Sequence, residues 1–340
     1  MAINIANGLS KRPGFTSIII VARGKGALAE KVLAGVEIVW LDKKMRWDFK
    51  AFRKFVKACR SSHVDIVHAH STTFFFALLA KWHCHYQIVW HDHYGGDTDN
   101  GHSYMRKFIL QQFDYVLCAS NKLVELGQRM APMGNPSVEW FPNFSNVMNT
   151  EISGYSNNER VPNVLLLANF RRQKDHLNAI YAINLLRDWG FNFTVNFSGL
   201  LADETYVSEI REAIASFGLQ DIVTLHFNSI DVFQMLNQAD IGLLSSSSEG
   251  LPLVIVEYGN FALPVVSTTV GEIPLAFSDD MMWMVPPRDS NALALALKSV
   301  LKDKEAALTK GKKLQSFVFE KFSEKAAMDR LCSVYKSMIT

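Results

Sequence analysis

Two carboxylates and a group of cations carry the chemistry most open to reading in this chain. Glu249 and Glu257 stand eight positions apart in SSSSEGLPLVIVEYGN, residues 245–260. A serine run leads into Glu249-Gly250-Leu251-Pro252-Leu253, and an apolar stretch of helical character then carries Glu257. Upstream, ADIGLL at 239–244 reads as a buried parallel strand, so the order is strand, tight loop, helix. Pro252 fits the first helical turn, where its missing N–H costs nothing. Free N–H groups of the loop and the helix dipole then favour an anion beyond the carboxyl end of the strand. Glu257, leaning back toward the helix N-terminus, reaches hydroxyls of a ligand held there. A carboxylate inside an apolar helix is expensive without a partner, which makes Glu257 informative; the plainer reading is a capped core helix with Glu257 exposed.

A second loop offers the opposite charge. After an apolar strand at 164–168 comes NFRRQKDH, residues 169–176, with Arg171, Arg172 and Lys174 at a strand's carboxyl end. Such a loop can hold a pyrophosphate and stabilise it as it leaves. Guanidinium suits two-pronged contact and an ammonium suits a point charge.

Histidines are the third concentration. Eight of the ten fall in 63–102, including His68-x-His70, His83-x-His85 and His91-x-His93. Alternate positions on a strand share a face, but carboxylate ligands are few nearby and Cys84 is isolated. The expectation is a mixture of core and cleft histidines, with no metal site. Arg23-Gly24-Lys25-Gly26-Ala27-Leu28-Ala29, with Asp42 ending the next strand, has the form of a dinucleotide fingerprint. Its charged residues suit an ordinary strand-to-helix loop better, and an NAD-dependent oxidoreductase using Gly24, Gly26 and Asp42 is the alternative enzyme.

Residues 43–60 hold eight Lys and Arg, with Phe49, Phe52, Val56 and Cys59 at helical spacing. The plain reading is a surface helix packing its aromatic side on a sheet. The sharper one is docking on anionic lipid through the basic face.

The pattern Glu249-Gly250-x-Pro252-x4-Glu257, followed by Gly259, Pro264-Val265-Val266 and Gly271, resembles the nucleotide-sugar site of retaining glycosyltransferases of the GT-B fold, family 4. The resemblance implies an α/β protein of two Rossmann-like parallel-sheet domains facing across a cleft, with sugar transfer between them. In that scheme Lys174 and Arg171 or Arg172 neutralise the donor diphosphate, so no metal or other cofactor is expected. Glu257 takes the ribose hydroxyls. Glu249 and the N–H groups of Gly250, Leu251 and Leu253, with Pro252 between them, hold sugar and phosphates. His91, with His93 in reserve, touches the transferred sugar. The implied donor is a nucleotide diphosphate sugar, UDP-linked by preference. The implied acceptor is a glycan or a lipid-linked molecule of cell-surface polysaccharide synthesis. A catalytically impaired scaffold and a nucleotide-sugar epimerase share the same architecture.

Strands that are apolar throughout must position these loops: residues 16–22, 36–41, 64–70, 87–90 and 115–119 in the first half, then 164–168, 192–198 and 223–227. Helical segments between them argue for parallel sheets covered on both faces. The chain opens on a helix at 2–12, where the resembled family opens on a strand and glycine-rich loop, so the N-terminal sheet is expected to lack its first strand. Residues 1–145 and 146–322 form the two domains, joined by a polar connection after Trp140-Phe141-Pro142-Asn143. An amphipathic helix at 323–340 crosses back to the first.

Length and composition agree. The 340 residues suffice for about two domains. A net charge of +2 and 49% hydrophobic residues are those of a globular protein, neither disordered nor fibrous. Nucleic acid is not an expected partner. Cys59, Cys84, Cys118 and Cys332 are scattered, as for free thiols in a reducing compartment. With no apolar run of about 18 residues and no signal-peptide core, the expected place is the cytoplasm, with peripheral contact to the inner face of the cell membrane.

Overall fold

A computed structural model describes residues 1–339 apart from 25, 46, 94–102, 132–133, 145–159 and 229–230. The polar connection after residue 144 and the loop following His93 therefore lie outside the described residues. The chain divides into two compact units, Met1–Phe144 with Glu324–Thr340, and Ser145–Ser323.

The first unit opens on α1 (Ala2–Ser10), followed by β1 (Ile18–Val21), β2 (Glu37–Trp40), α2 (Phe49–Ser61), β3 (Ile66–His70) and α3 (Phe74–Cys84). It continues with β4 (Gln87–Asp92), α4 (Ser103–Leu110), β5 (Tyr115–Cys118), α5 (Asn121–Met130) and β6 (Ser137–Trp140). Strands β3-β4-β5-β6 form one parallel sheet, and β1 pairs with β2 alone. The sheet is buried on both faces by strand alternation. Ile88 and Trp90 of β4 join the core with Phe55 of α2 and Ala77 of α3, while Val89 joins Ile5 and Leu9 of α1. Strand β6 was not legible: four residues that include Glu139 sit at the sheet edge, and the apolar pattern is too short to register.

The second unit runs β7 (Asn163–Leu167), α6 (His176–Asp188), β8 (Thr194–Gly199), α7 (Glu204–Ser216), β9 (Val223–Phe227), α8 (Val232–Gln238) and β10 (Ile241–Leu244). Then come α9 (Leu253–Asn260), β11 (Val265–Thr268), α10 (Ile273–Ala276), β12 (Trp283–Val285), α11 (Ser290–Lys302) and α12 (Lys304–Phe322). Its six strands are parallel in the order β12-β11-β10-β7-β8-β9. The windings diverge between β7 and β10, and ligands of open α/β sheets bind at the carboxyl ends beside such a switch point. The last helix, α13 (Glu324–Ile339), belongs to the first unit and buries Ala327, Met328 and Leu331 there.

Both units are Rossmann-like parallel α/β layers, as expected. Three details differ. Phe49 is 72% exposed, while Phe52, Val56 and Cys59 of the expected side of α2 pack on the core together with Ala51 and Phe55. Between β1 and β2 the described residues form a 3-10 turn at Ala27–Lys31 in place of an α-helix. Helices α11 and α12 occupy sequence that gave no expectation, capped by Asp289 on the Ala292 N–H and Asp303 on the Ala306 N–H, both at 2.9 Å. Among the described residues no helix is long and apolar enough to cross a membrane.

Candidate functional site

The two loops singled out in the sequence leave the carboxyl ends of the switch-point strands, the cationic one after β7 and the serine-glutamate one after β10. The first is fastened to the end of β8. Asn169 Oδ1 accepts the Leu200 N–H at 3.2 Å, and the Phe170 N–H donates to Leu200 O at 2.9 Å. A 3-10 turn at Arg172–Lys174 follows. Asp175, in the left-handed region at φ 48°, then caps α6 by accepting the Asn178 N–H at 3.4 Å.

This turn sends the three cations in different directions. Arg172 makes a two-pronged pair with Glu209 at 2.9 and 2.5 Å and lies 5.4 Å from the centre of the Tyr206 ring. Arg171 is exposed and has no ion pair among the described residues. Lys174 Nζ donates to Glu249 Oε1 at 2.5 Å, with side chains 19% and 9% exposed. The structure thus brings Lys174 and Glu249 together and commits Arg172 to α7, leaving Arg171 as the arginine at liberty.

Glu249 is held twice at one oxygen. Ser246 Oγ also donates to Oε1, at 2.6 Å, while Oε2 has no partner among the described residues. The serine run, legible only as small residues, fastens one loop to the other. Ser245 Oγ donates to Lys174 O at 2.9 Å, the Ser247 N–H donates to Gln173 O at 2.8 Å, and Thr268 Oγ1 donates to Ser246 O at 2.7 Å. Gly271 closes the arrangement at φ 59°, where a Cβ would meet Glu249 O at 2.2 Å and Gly250 O at 2.4 Å. Only glycine fits there without displacing the loop.

Pro252 is the N-cap of α9, in extended conformation at φ −74° and ψ 119°, one step before the first helical turn expected for it. The helix starts at Leu253. The N–H groups of Gly250, Leu251, Leu253 and Val254 find no backbone acceptor among the described residues, as an anion-receiving helix start requires. Helix α9 is fixed from below by Tyr258, whose ring fills the space a Cβ on Gly242 would take, at 2.5 Å. Its hydroxyl accepts the Leu167 N–H at 2.9 Å and lies 2.9 Å from Leu165 O and 3.1 Å from Leu243 O. Tyr258 therefore ties the helix to β7 and β10, the strands carrying both loops. Glu257, its neighbour, is mostly buried, and no cation or hydrogen-bond donor among the described residues meets its carboxylate. Burial raises its pKa.

His176, at the start of α6, is fully buried and stacked on Phe170 at 4.8 Å. Burial holds its pKa down to about 3, so it is a neutral packing group. His91 stands in the first unit at the end of β4, 0% exposed, with its ring 4.0 Å from that of the half-buried His93. His68 and His70 on β3 complete the group.

The dinucleotide fingerprint loses its physical basis. Among the described residues a 3-10 turn rather than an α-helix follows Gly24-x-Gly26, and the Asp42 carboxylate is taken by Lys54 at 3.1 Å.

Comparison with known proteins follows this geometry. Residues 148–315 match the family model described as Glycosyl transferases group 1, and residues 1–147 match Glycosyltransferase Family 4. The protein WcaL of Escherichia coli, named for colanic acid biosynthesis, is 31% identical over 143 residues, 39% of this chain and 34% of its own length. The amylovoran biosynthesis glycosyltransferase AmsK of Erwinia amylovora is 30% identical over 145 residues, again 39% of this chain and 34% of the relative. The chain thus spans about a third of the length of these relatives. Among solved structures, a glycosyltransferase of Rickettsia africae superposes with a TM-score of 0.83 at 18% identity, covering 100% of this chain and 94% of that one. HepE of Anabaena in complex with UDP gives 0.78 at 16% identity, covering 98% and 94%. These neighbours have the GT-B fold, and so does this chain.

Proposed function

We propose, from the premise of a GT-B chain whose two halves match glycosyltransferase models, that it transfers a sugar, with retention, from a nucleotide diphosphate sugar to a glycan or lipid-linked acceptor. The observation that carries this reading is the Lys174–Glu249 pair at 2.5 Å, built from the two loops at the switch point. Solved relatives of the same fold hold UDP and UDP-glucose, which supports a UDP-sugar donor. Relatives named for colanic acid and amylovoran synthesis support cell-surface polysaccharide assembly as the setting.

In this reading Arg171 and Lys174 neutralise the diphosphate, so charge balance at the leaving group needs no divalent ion. Lysine has three donors and can keep Glu249 while meeting a phosphate oxygen. The N–H groups at the start of α9 receive the phosphates, Glu257 accepts from the ribose hydroxyls, and Glu249 Oε2 accepts from the sugar. His91 contacts the transferred sugar, the role the family resemblance gives it. Transfer breaks the bond between the anomeric carbon and the leaving phosphate oxygen and forms one to the acceptor oxygen on the same face. The acceptor's proton passes to the departing phosphate. Two carboxylates flanking the bond, as in glycosidases, are not invoked.

A membrane-facing acceptor suits the first unit. Trp47 and Trp82 are 66% and 86% exposed, and Trp47 packs its edge on Phe75 of α3 at 4.9 Å. Lys50, Arg53 and Lys57 of α2 are exposed. An apolar and basic surface of this kind binds anionic lipid, consistent with a cytoplasmic protein peripheral to the membrane.

The test is thermal protection by UDP, GDP and dTDP, followed by donor hydrolysis with the corresponding sugars. A ligand at 100 times its dissociation constant stabilises by about 2.7 kcal/mol. Absence of protection by every nucleoside diphosphate would overturn the reading.

A further inference from the structure

Strands β7 and β10 carry the two loops of the site, yet they pair directly only through Val164 with Ile241 and Leu165 with Gly242. Each keeps its outer neighbour for longer. Strand β7 follows β8 as far as Leu167 with Ser198, and β10 follows β11 as far as Leu244 with Ser267. The sheet therefore splits along the β7–β10 seam at its carboxyl edge. Continued in the same register, Leu166 would meet Leu243, and the next parallel rung would join the Leu167 N–H to Leu243 O. A side chain occupies that rung instead. The Leu167 N–H donates to the Tyr258 hydroxyl at 2.9 Å, and the hydroxyl lies 3.1 Å from Leu243 O and 2.9 Å from Leu165 O.

A phenol can fill such a gap because it both gives a proton and accepts one. Here it accepts from β7 and shares its own proton between a carbonyl of each strand. Burial raises the Tyr258 pKa, which keeps that proton in place. The ring is seated just as firmly. Tyr258 is 0% exposed, and a Cβ on Gly242 would stand 2.5 Å from its ring. Glycine at 242 is thus the socket for the tyrosine.

We propose that Tyr258 is a positioning residue, a spacer that holds β7 and β10 one rung apart and so sets the meeting of Lys174 with Glu249. The path from spacer to pair is short and stiff. Beyond Leu167 and Leu244 the two loops are cross-tied by Ser245 Oγ on Lys174 O at 2.9 Å and the Ser247 N–H on Gln173 O at 2.8 Å. A shift of one strand end against the other therefore reaches the pair rather than dissipating in a free loop. Because Tyr258 follows Glu257 on α9, the same hydrogen bonds also place that carboxylate. What the placed groups bind rests on the sugar-transfer reading; the spacing does not.

The experiment is a thermodynamic cycle on the full chain. Lys174→Met, Glu249→Gln and the double variant are unfolded in urea, first with Tyr258 intact and then with Tyr258→Phe added. With Tyr258 intact the pair should couple by at least about tenfold in the unfolding constant, and with Tyr258→Phe by less than about threefold. A tyrosine that only stabilises the fold would lower every member of the cycle equally. Coupling unchanged by Tyr258→Phe, or absent from the start, would overturn the proposal. Gly242→Ala keeps the hydroxyl and crowds the ring, and it should reduce the coupling in the same way. It carries the test where circular dichroism shows that Tyr258→Phe does not fold. Calorimetry with UDP then reads the link to the donor. Tyr258→Phe should weaken UDP about tenfold, the loss of one charge-assisted contact. Unchanged UDP affinity in a variant that has lost the coupling would overturn that link. Failure of the wild type to bind UDP would count against sugar transfer, while the cycle still decides the spacer.

Discussion

Replacing Glu257 by glutamine should push stability and ligand affinity in opposite directions. The carboxylate is mostly buried, faces no partner among the described residues, and has its pKa raised by burial. An unsatisfied buried polar group costs about 1–3 kcal/mol, more if charged. Allowing for its residual exposure and for the amide that replaces it, removal of the charge should stabilise the fold by about 1–2 kcal/mol. For a unit of the size of Ser145–Ser323 that is about 2–8 °C in Tm, at about 2–4 °C per kcal/mol. The sign with pH follows from linkage. A carboxyl whose folded pKa is raised adds stability below its unfolded pKa, near the ordinary glutamate value of 4.5, and loses it as pH rises through the folded value. Wild type and variant should therefore converge in acid and separate as pH rises. UDP binding should weaken, since a hydrogen bond to a charged group is worth about 1.5–3 kcal/mol, or about 10- to 150-fold. Thermal denaturation across pH, with and without UDP, reads both effects. Equal Tm at neutral pH would refute the unpaired burial, and unchanged UDP affinity would refute the ribose contact.

Lys174→Met should destabilise by about 2–4 kcal/mol, somewhat below a fully buried pair, because it strands Glu249; the double variant with Glu249→Gln should recover most of this in urea titrations. Arg171→Ala should weaken UDP binding about tenfold with the fold intact. Arg172→Ala, which loses only a solvent-screened pair, should leave stability nearly unchanged and UDP affinity little altered, as calorimetry would read. Gly271→Ala should cost at least about 1–2 kcal/mol for the left-handed backbone alone, and should also weaken UDP binding by displacing the carbonyls of Glu249 and Gly250. Charge reversal at Lys50, Arg53 and Lys57 should cut co-sedimentation with anionic vesicles, each basic residue near the surface being worth about 1 kcal/mol, and leave neutral vesicles unaffected.

The fold class was legible because uniformly apolar strands between helices admit few architectures, and each expected strand of both units formed. Strand β6 escaped because four residues carry no period. Helix α2 was placed correctly, and Phe52, Val56 and Cys59 of its stripe pack on the core; Phe49, at the helix start, turns to solvent instead. At the site, Glu249 and Lys174 were readable from residue type and loop position, and their pairing was not, because it depends on strand order. That Arg172 is taken by Glu209, 37 positions away, could not be read from the sequence. Histidine alternation was visible on each strand, yet the register that sets His70 beside His91 is a property of the sheet alone.

The first unit is closed by the last helix of the chain. Ile5, Leu9, Val89 and Leu117 share their core with Ala327, Met328 and Leu331 of α13. On a ribosome, the whole of Ser145–Ser323 is translated before that covering exists. The later-made half can mature first, and the earlier-made half waits with an apolar surface open. Nascent-chain arrest at successive lengths should find protease resistance arriving in the second half ahead of the first, the reverse of the usual order of synthesis.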